Sequence, residues 1–180
     1  MALVDLEQLS LRESERVEWK ENVADIDALI KTAVAFANDY SNLGGGYIVC
    51  GAKETKDTYG FQKIEKIGLL SSRIKEVENK VLADLRTKVS PEIIPLTEEI
   101  PVTNEKRILV FIIPSSKEAH SYRSRGKESS TYYVRIGRET REARNGILRE
   151  LLILKDKREP WDKRLQVSAH IEDIDLLMLR

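Results

Sequence analysis

The chain has 180 residues, enough for one domain with an extra terminal element. Thirty basic residues balance thirty acidic ones, so net charge names no partner, while an apolar share of 41% is enough for a real core. The single cysteine, Cys50, excludes an intramolecular disulfide, and neither a signal peptide nor a bilayer-length apolar run is present, so a cytoplasmic protein without a membrane partner is expected.

In chain order, residues 3–12 read as a short amphipathic lead-in. Val17-Glu18-Trp19-Lys20 alternates apolar and charged residues as a half-buried strand does, with Glu18 and Lys20 on its polar face. Ile26, Leu29, Ile30, Ala33, Val34 and Ala37 recur at helical spacing. Asp25 is placed to cap that helix and Asn38 lies where it should stop. Gly44-Gly45-Gly46 then permits positive φ and leaves room for an approaching group. Residues 46–51 are β-rich without polar alternation, which predicts a buried strand. Gly46 and Gly51 have the spacing of a phosphate loop, but Ala52-Lys53-Glu54 follows where Lys-Ser/Thr is required. Val49 occupies the third glycine position of a GxGxxG counted from Gly44. No nucleotide cofactor is expected.

Residues 53–60 read as a polar loop. Ser71 or Ser72 is expected to cap a helix carrying Ile74, Val77, Val81, Leu82 and Leu85, closed off by Pro91. Residues 92–100 and 107–113 read as two strands joined through 102–106, the second almost wholly apolar and hence central. Ser121 to Ser130 is small, polar and basic, a candidate mobile loop. Residues 131–136 alternate again as a strand that Gly137 ends, and Thr140 is expected to cap a helix bearing Ala143, Ile147, Leu151 and Leu154. Pro160-Trp161 marks a break. Residues 171–180 read as a helix without a stop signal, so a longer protein, or a tail that packs on a partner, is expected.

Two constellations carry chemistry. Between Lys117 and Arg149 nine basic residues face four acidic ones, with His120, Tyr122, Tyr132 and Tyr133 interleaved. Cations with aromatic neighbours suit a phosphate-backbone surface with stacking platforms. The candidate nucleic-acid contacts are Lys20, Arg123, Arg125, Lys127, Arg135, Arg138, Arg141 and Arg144. The last four are expected to cross a turn into a helix start, where free N–H groups add to their field; the competing reading is an ordinary solvated basic face. The second constellation is acidic. Glu13 and Glu18, with a third carboxylate from Glu54 or Asp57, supply the hard oxygens that Mg²⁺ or Mn²⁺ requires. For convergence Glu13 must lie in the turn before the strand. The competing reading is salt pairing of Glu18 with Lys20 or with a neighbouring strand. His120 and His170 have no metal spacing, and Cys50 reads as a buried thiol.

The ordered motifs Glu13-Ser-Glu-Arg-Val-Glu18-Trp-Lys20, Ala35-Phe-Ala-Asn38, Gly45-Gly-Tyr-Ile-Val-Cys-Gly51, Pro114 after a strand, and Tyr133-Val-Arg-Ile-Gly137 resemble the Schlafen AlbA-like domain. The resemblance spans residues 11–155 and leaves 156–180 as a C-terminal extension. It implies an α+β nucleic-acid-binding fold, a mixed β-sheet covered by helices, of the kind that opens predicted transcriptional regulators in prokaryotes. Some relatives are described as divergent ATPases, which the missing phosphate loop does not support. In vertebrate Schlafens related lobes pair and cut RNA with three acidic residues. The resemblance matches two of them to Glu13 and Glu18 and the third to the segment after the central strand, where Glu54 remains and Lys53 stands in place of an expected acid.

The first expectation is therefore a DNA- or RNA-binding module of a transcriptional regulator, homodimeric, with no cofactor and no catalysis. The second is a metal-dependent RNase using Glu13, Glu18 and Glu54 with Mg²⁺ or Mn²⁺, and the third a dimerisation scaffold. The expected sheet combines 17–20, 46–51, 93–99, 107–113 and 131–136, with helices 26–38 and 73–88 on one face. The carboxylates are expected to be pinned by Lys20 and Lys53.

Overall fold

The structure is a computed structural model that describes residues 4–11, 14–56, 58–60 and 62–155. It opens with α1 (Leu6–Leu11), whose first turn is capped by Asp5 accepting from Glu7 N–H at 2.9 Å. A 3-10 turn leads into β1 (Val17–Lys20). α2 (Ile26–Asn38) starts where expected, with the Asp25 carboxylate accepting from Ala28 N–H at 3.1 Å. It ends as Asp39 turns left-handed at φ 42° and returns its N–H to the Ala35 carbonyl. Then follow β2 (Gly46–Cys50), β3 (Ala52–Lys56), β4 (Gln62–Lys66), β5 (Leu69–Leu70), α3 (Ser71–Thr87), β6 (Val89–Ser90), β7 (Leu96–Pro101), β8 (Lys106–Ile113), β9 (Ser121–Tyr122), β10 (Thr131–Ile136), β11 (Glu139–Glu142) and α4 (Asn145–Leu154).

The main sheet is mixed. β1 runs parallel to β2, β2 antiparallel to β8, and β8 antiparallel to both β5 and β7. α2 and α3 cover one face, against Ile48, Cys50, Leu109, Phe111 and Ile113, as expected. The other face holds Val17, Val49, Ile108 and Val110 under Val4, Leu6 and Leu9 from the N-terminal segment. Both faces are buried, which is why the middle of β8 is an unbroken apolar run rather than an alternating one. No helix among the described residues is long and apolar enough to cross a membrane.

Several local expectations are corrected. Residues 131–136 form a strand, but in a second, antiparallel sheet ordered β11-β10-β9-β6. α2 lies between the two sheets, its buried residues running from Leu29 to Asn38, so β10 cannot reach the main sheet. Residues 52–56 are not loop: they pair antiparallel with β4, in a hairpin whose polar composition hides the strand period. Neither Ser71 nor Ser72 caps α3; Leu70 stands at its N-cap, and the Ser71 hydroxyl donates to the Glu105 carbonyl instead. Thr140 lies on β11 and α4 begins only at Asn145, because the two-residue turn Gly137-Arg138 folds the chain back antiparallel.

The glycine turn serves the fold. Gly44 and Gly45 adopt φ of 87° and 83°. A Cβ on Gly45 would collide with the Ile113 carbonyl, and one on Gly46 with the Phe36 ring. The approaching group is the protein itself. Arg16 closes the turn by donating to the Gly44 and Gly45 carbonyls at 3.2 and 3.3 Å.

Candidate nucleic-acid interface

The basic segment is anchored to α2 by one buried side chain. The Asn38 amide donates to the Tyr133 and His120 carbonyls at 2.7 and 3.0 Å and accepts from His120 N–H at 2.7 Å. Strand β10 and the approach to β9 are both held by this amide, in the way one backbone strand holds another. The His120 ring is buried, and its Nδ1 faces the Pro91 carbonyl at 2.7 Å. A carbonyl only accepts, so Nδ1 carries a proton. Burial pushes the His120 pKa below the ordinary histidine value, and the Pro91 carbonyl offsets only part of that. Because the folded pKa is depressed, the unfolded chain takes up the proton first, and stability falls as pH drops through about 6.5. We expect the denaturation midpoint to fall as the pH is lowered through about 6.5, and His120→Asn, which keeps an N–H toward Pro91, to flatten that slope. An unchanged slope in the variant would remove His120 as its source.

Beside the free edge of β1 lies a cavity of about 420 Å³, lined by Glu18, Glu21, Lys53, Glu54, Arg135 and Arg138, among others. Glu18 is occupied on both oxygens: Oε1 by Lys20 at 2.8 Å and Oε2 by Arg135 at 2.9 Å. Arg135 is 6% exposed, donates to Thr140 Oγ1 at 3.2 Å and stacks over the Phe36 ring at 5.3 Å. It is an internal residue. Arg138, on the exposed turn, pairs with Glu54, and Lys53 pairs with Glu21 at 2.9 Å. Lys20 pins Glu18 as expected, but Arg138 rather than Lys53 pins Glu54. Lys53 and Glu54 both line the cavity, but Lys53 is taken by Glu21 and leaves Glu54 to Arg138. The two kinds of pair differ in strength: an exposed pair contributes about 0–1 kcal/mol, whereas removing one partner of a buried pair costs about 3–5 kcal/mol.

Glu13 and Asp57 lie outside the described residues. Among the described residues, no three His, Cys, Asp or Glu side chains are placed to hold a metal ion. Glu18 and Glu54, committed to guanidinium and ammonium groups, do not fit Mg²⁺ or Mn²⁺ as they stand. Cys50 is buried, and desolvation pushes its thiol up to about 12, which excludes it as a nucleophile near neutral pH.

The remaining cations fall into two groups at opposite ends of the β10–β11 hairpin, about 17 Å apart along the strand at ~3.3 Å per residue. Arg138 marks one end, and Arg123, Arg125, Lys127 and Arg144 gather at the other. Arg123, Arg125 and Lys127 lie in the exposed connection after β9 and make no ion pair among the described residues. Arg144, at the N-cap of α4, pairs with Glu142 at 2.8 Å and, with help from Lys127, holds that carboxyl below its ordinary value. Arg141 pairs with Glu139 along β11. The arginine series therefore lies on a hairpin, and only Arg144 meets a helix start. Glu21, Phe36 and Thr140 join the site without having been named as site residues from the sequence, although Phe36 lies in the Ala35-Phe-Ala-Asn38 motif. Thr140 is five residues from Arg135 and one two-residue turn away; Glu21 carries no local signal.

A mixed main sheet sharing α2 with a small antiparallel sheet, and a charged cavity at the edge of its first strand, define an AlbA-like α+β domain. The chain belongs to the Schlafen AlbA_2 family, whose model matches residues 13–144. Its fold is shared with the N-terminal domain of an ATP-dependent DNA helicase RecG-related protein from Nitrosomonas europaea. That structure is 23% identical, with a TM-score of 0.54 over 73% of this chain and 86% of that one. The DIP2311 protein from Corynebacterium diphtheriae is more distant: 16% identical, TM-score 0.43, over 71% of this chain and 25% of that one. No curated protein matches this chain.

Proposed function

We propose that this domain binds nucleic acid, DNA in the first instance, as the binding module of a transcriptional regulator, with residues 11–155 acting as one unit. The observation that carries this reading is the set of exposed cations Arg123, Arg125 and Lys127 in the connection after β9, without ion pairs among the described residues and backed by Arg144. Cations free of carboxylate partners attract phosphate most strongly, because nothing must be displaced. Membership of the Schlafen AlbA_2 family supports the same class of ligand. Two copies act together in this reading, as the pairing of Schlafen lobes implies, and the contacts are to the backbone rather than to base edges.

Fluorescence anisotropy with labelled duplex DNA and with tRNA, titrated with salt, tests it. Replacing Arg123, Arg125 and Lys127 together by alanine is expected to weaken binding. The log-affinity against log-salt slope should flatten by roughly 0.7–0.9 for each phosphate no longer neutralised. Sedimentation of the same samples gives the number of copies per ligand. Failure of the wild-type domain to bind either ligand at low salt would overturn the reading.

A further inference from the structure

Helix α4 packs on the small sheet through Leu151, which is fully buried with Val134 and Ala143. Its other side is left open. Leu152 and Ile153 stand 42% and 63% exposed. Asn145, Leu148, Arg149, Leu152 and Ile153 recur at helical spacing and line an open hollow along this side. Among the described residues, α4 alone walls that hollow. Arg149 is exposed beside the apolar stripe and makes no ion pair among the described residues. Apolar residues exposed singly are ordinary, whereas an adjacent set beside an unpaired cation suits a covering surface that is apolar with an acid at its margin.

We propose that residues 171–180 of this same chain fold back as a helix and dock on the open side of α4. Ile171, Ile174 and Met178 repeat at i, i+3 and i+7 with Leu177 beside them, the stripe that such a face requires. On that helix Asp175 flanks the stripe, as Arg149 flanks the stripe of α4, so docking brings a carboxylate to the unpaired guanidinium. A ten-residue helix is about 15 Å long at ~1.5 Å per residue, the length of α4 itself. The connection, residues 156–170, can span up to about 50 Å at ~3.3 Å per residue. Pro160 within it breaks a continued helix. A second copy is the rival occupant. Leu148, Leu152 and Ile153 offer far less than the roughly 800 Å² per partner that a stable interface between separate chains buries. The same face of a second copy also presents another Arg149 rather than an acid. A tethered segment is held at an effective concentration of the order of millimolar and needs much less area. This docking is independent of what the domain binds.

The test uses the full chain and a single engineered thiol. Cys50 is buried with its own thiol pushed up to about 12, so Leu176→Cys, on the side of the segment away from the stripe, takes a nitroxide label selectively. The amide spectrum of the ¹⁵N chain is recorded with the nitroxide oxidised and again after reduction by ascorbate. The amides of Leu148 to Ile153 are expected to lose their signals in the oxidised state and to regain them on reduction, equally at high and low protein concentration. Adding Ile174→Glu/Met178→Glu to the labelled chain is expected to restore these signals without reduction, and Arg149→Glu to restore them in part. The dispersion of the remaining amides checks that each variant is folded. Unchanged α4 signals in the oxidised chain would overturn the docking. A loss that survives both Ile174→Glu/Met178→Glu and Arg149→Glu would also overturn it, because a label moving freely on its tether acts alike in every variant. If the loss instead appears when unlabelled ¹⁵N chain is mixed with nitroxide-labelled ¹⁴N chain, a second copy covers α4 and the intramolecular docking is again overturned.

Discussion

Replacing Asn38 by alanine is expected to destabilise the domain by about 3–5 kcal/mol, more than most single substitutions in the apolar core. The side chain is fully buried and serves three backbone groups, His120 N–H, His120 C=O and Tyr133 C=O. Alanine leaves all three without that partner, and each buried group left unpaired costs about 1–3 kcal/mol, not fully additively. A domain with roughly 5–15 kcal/mol in hand does not lose this much lightly. Asn38→Asp is the sharper control. It keeps the acceptor for His120 N–H but turns carboxylate oxygen toward two carbonyls, and it should be at least as damaging as alanine near neutral pH. Urea denaturation midpoints measure both. A loss below about 1 kcal/mol for alanine would mean that water replaces the amide and that Asn38 does not hold the two sheets together.

The second large effect is expected at the Glu18–Arg135 pair. Glu18→Gln preserves shape but removes the charge facing a guanidinium that is 6% exposed. The expected cost is about 2–4 kcal/mol, somewhat below a fully buried pair because Glu18 is 19% exposed and also meets Lys20. Arg135→Met in the same chain should recover most of it. The methionine packs its thioether against the Phe36 ring, over which the guanidinium now lies, and leaves no buried charge behind. The double-mutant cycle should therefore show coupling of more than about 1 kcal/mol. Additive costs, within about 0.5 kcal/mol, would mean that the two groups are separately solvated and that the cavity floor is not a closed pair. Melting curves and the cycle require no ligand, so this outcome is independent of what the domain binds.

Much of the scaffold is legible in local pattern. The spacing of Ile26 to Ala37 with Asp25 before it marks α2, because a cap and an apolar stripe are both set within a few residues of chain. The apolar runs of β2 and β8 mark buried central strands for the same reason. The polar hairpin of β3 and β4 is not legible, since its strands expose charged residues and carry no apolar period. Thr140 misleads because Ser and Thr suit both caps and strands, and only pairing with β10 distinguishes them. The charged site is legible as residues but not as partners. Glu18, Glu54, Lys53, Arg135 and Arg138 all stand out in the sequence, while nothing local says that Arg138 reaches Glu54 across 84 residues.

The sequence by itself determined which segments are helix or buried strand, that the chemistry belongs to carboxylates and arginines, and the family whose motifs it carries. These follow from short-range sterics, periodicity and residue type. Only the tertiary structure decided that β10 belongs to a second sheet, that α2 is shared between the two, and that Arg135 is a buried counter-ion while Arg123, Arg125 and Lys127 lie exposed to solvent. Those outcomes depend on which face of each element is covered and on charges brought together from distant segments. Burial sets the strength of every such charge pair, and burial is a property of the packed domain rather than of any stretch of its chain.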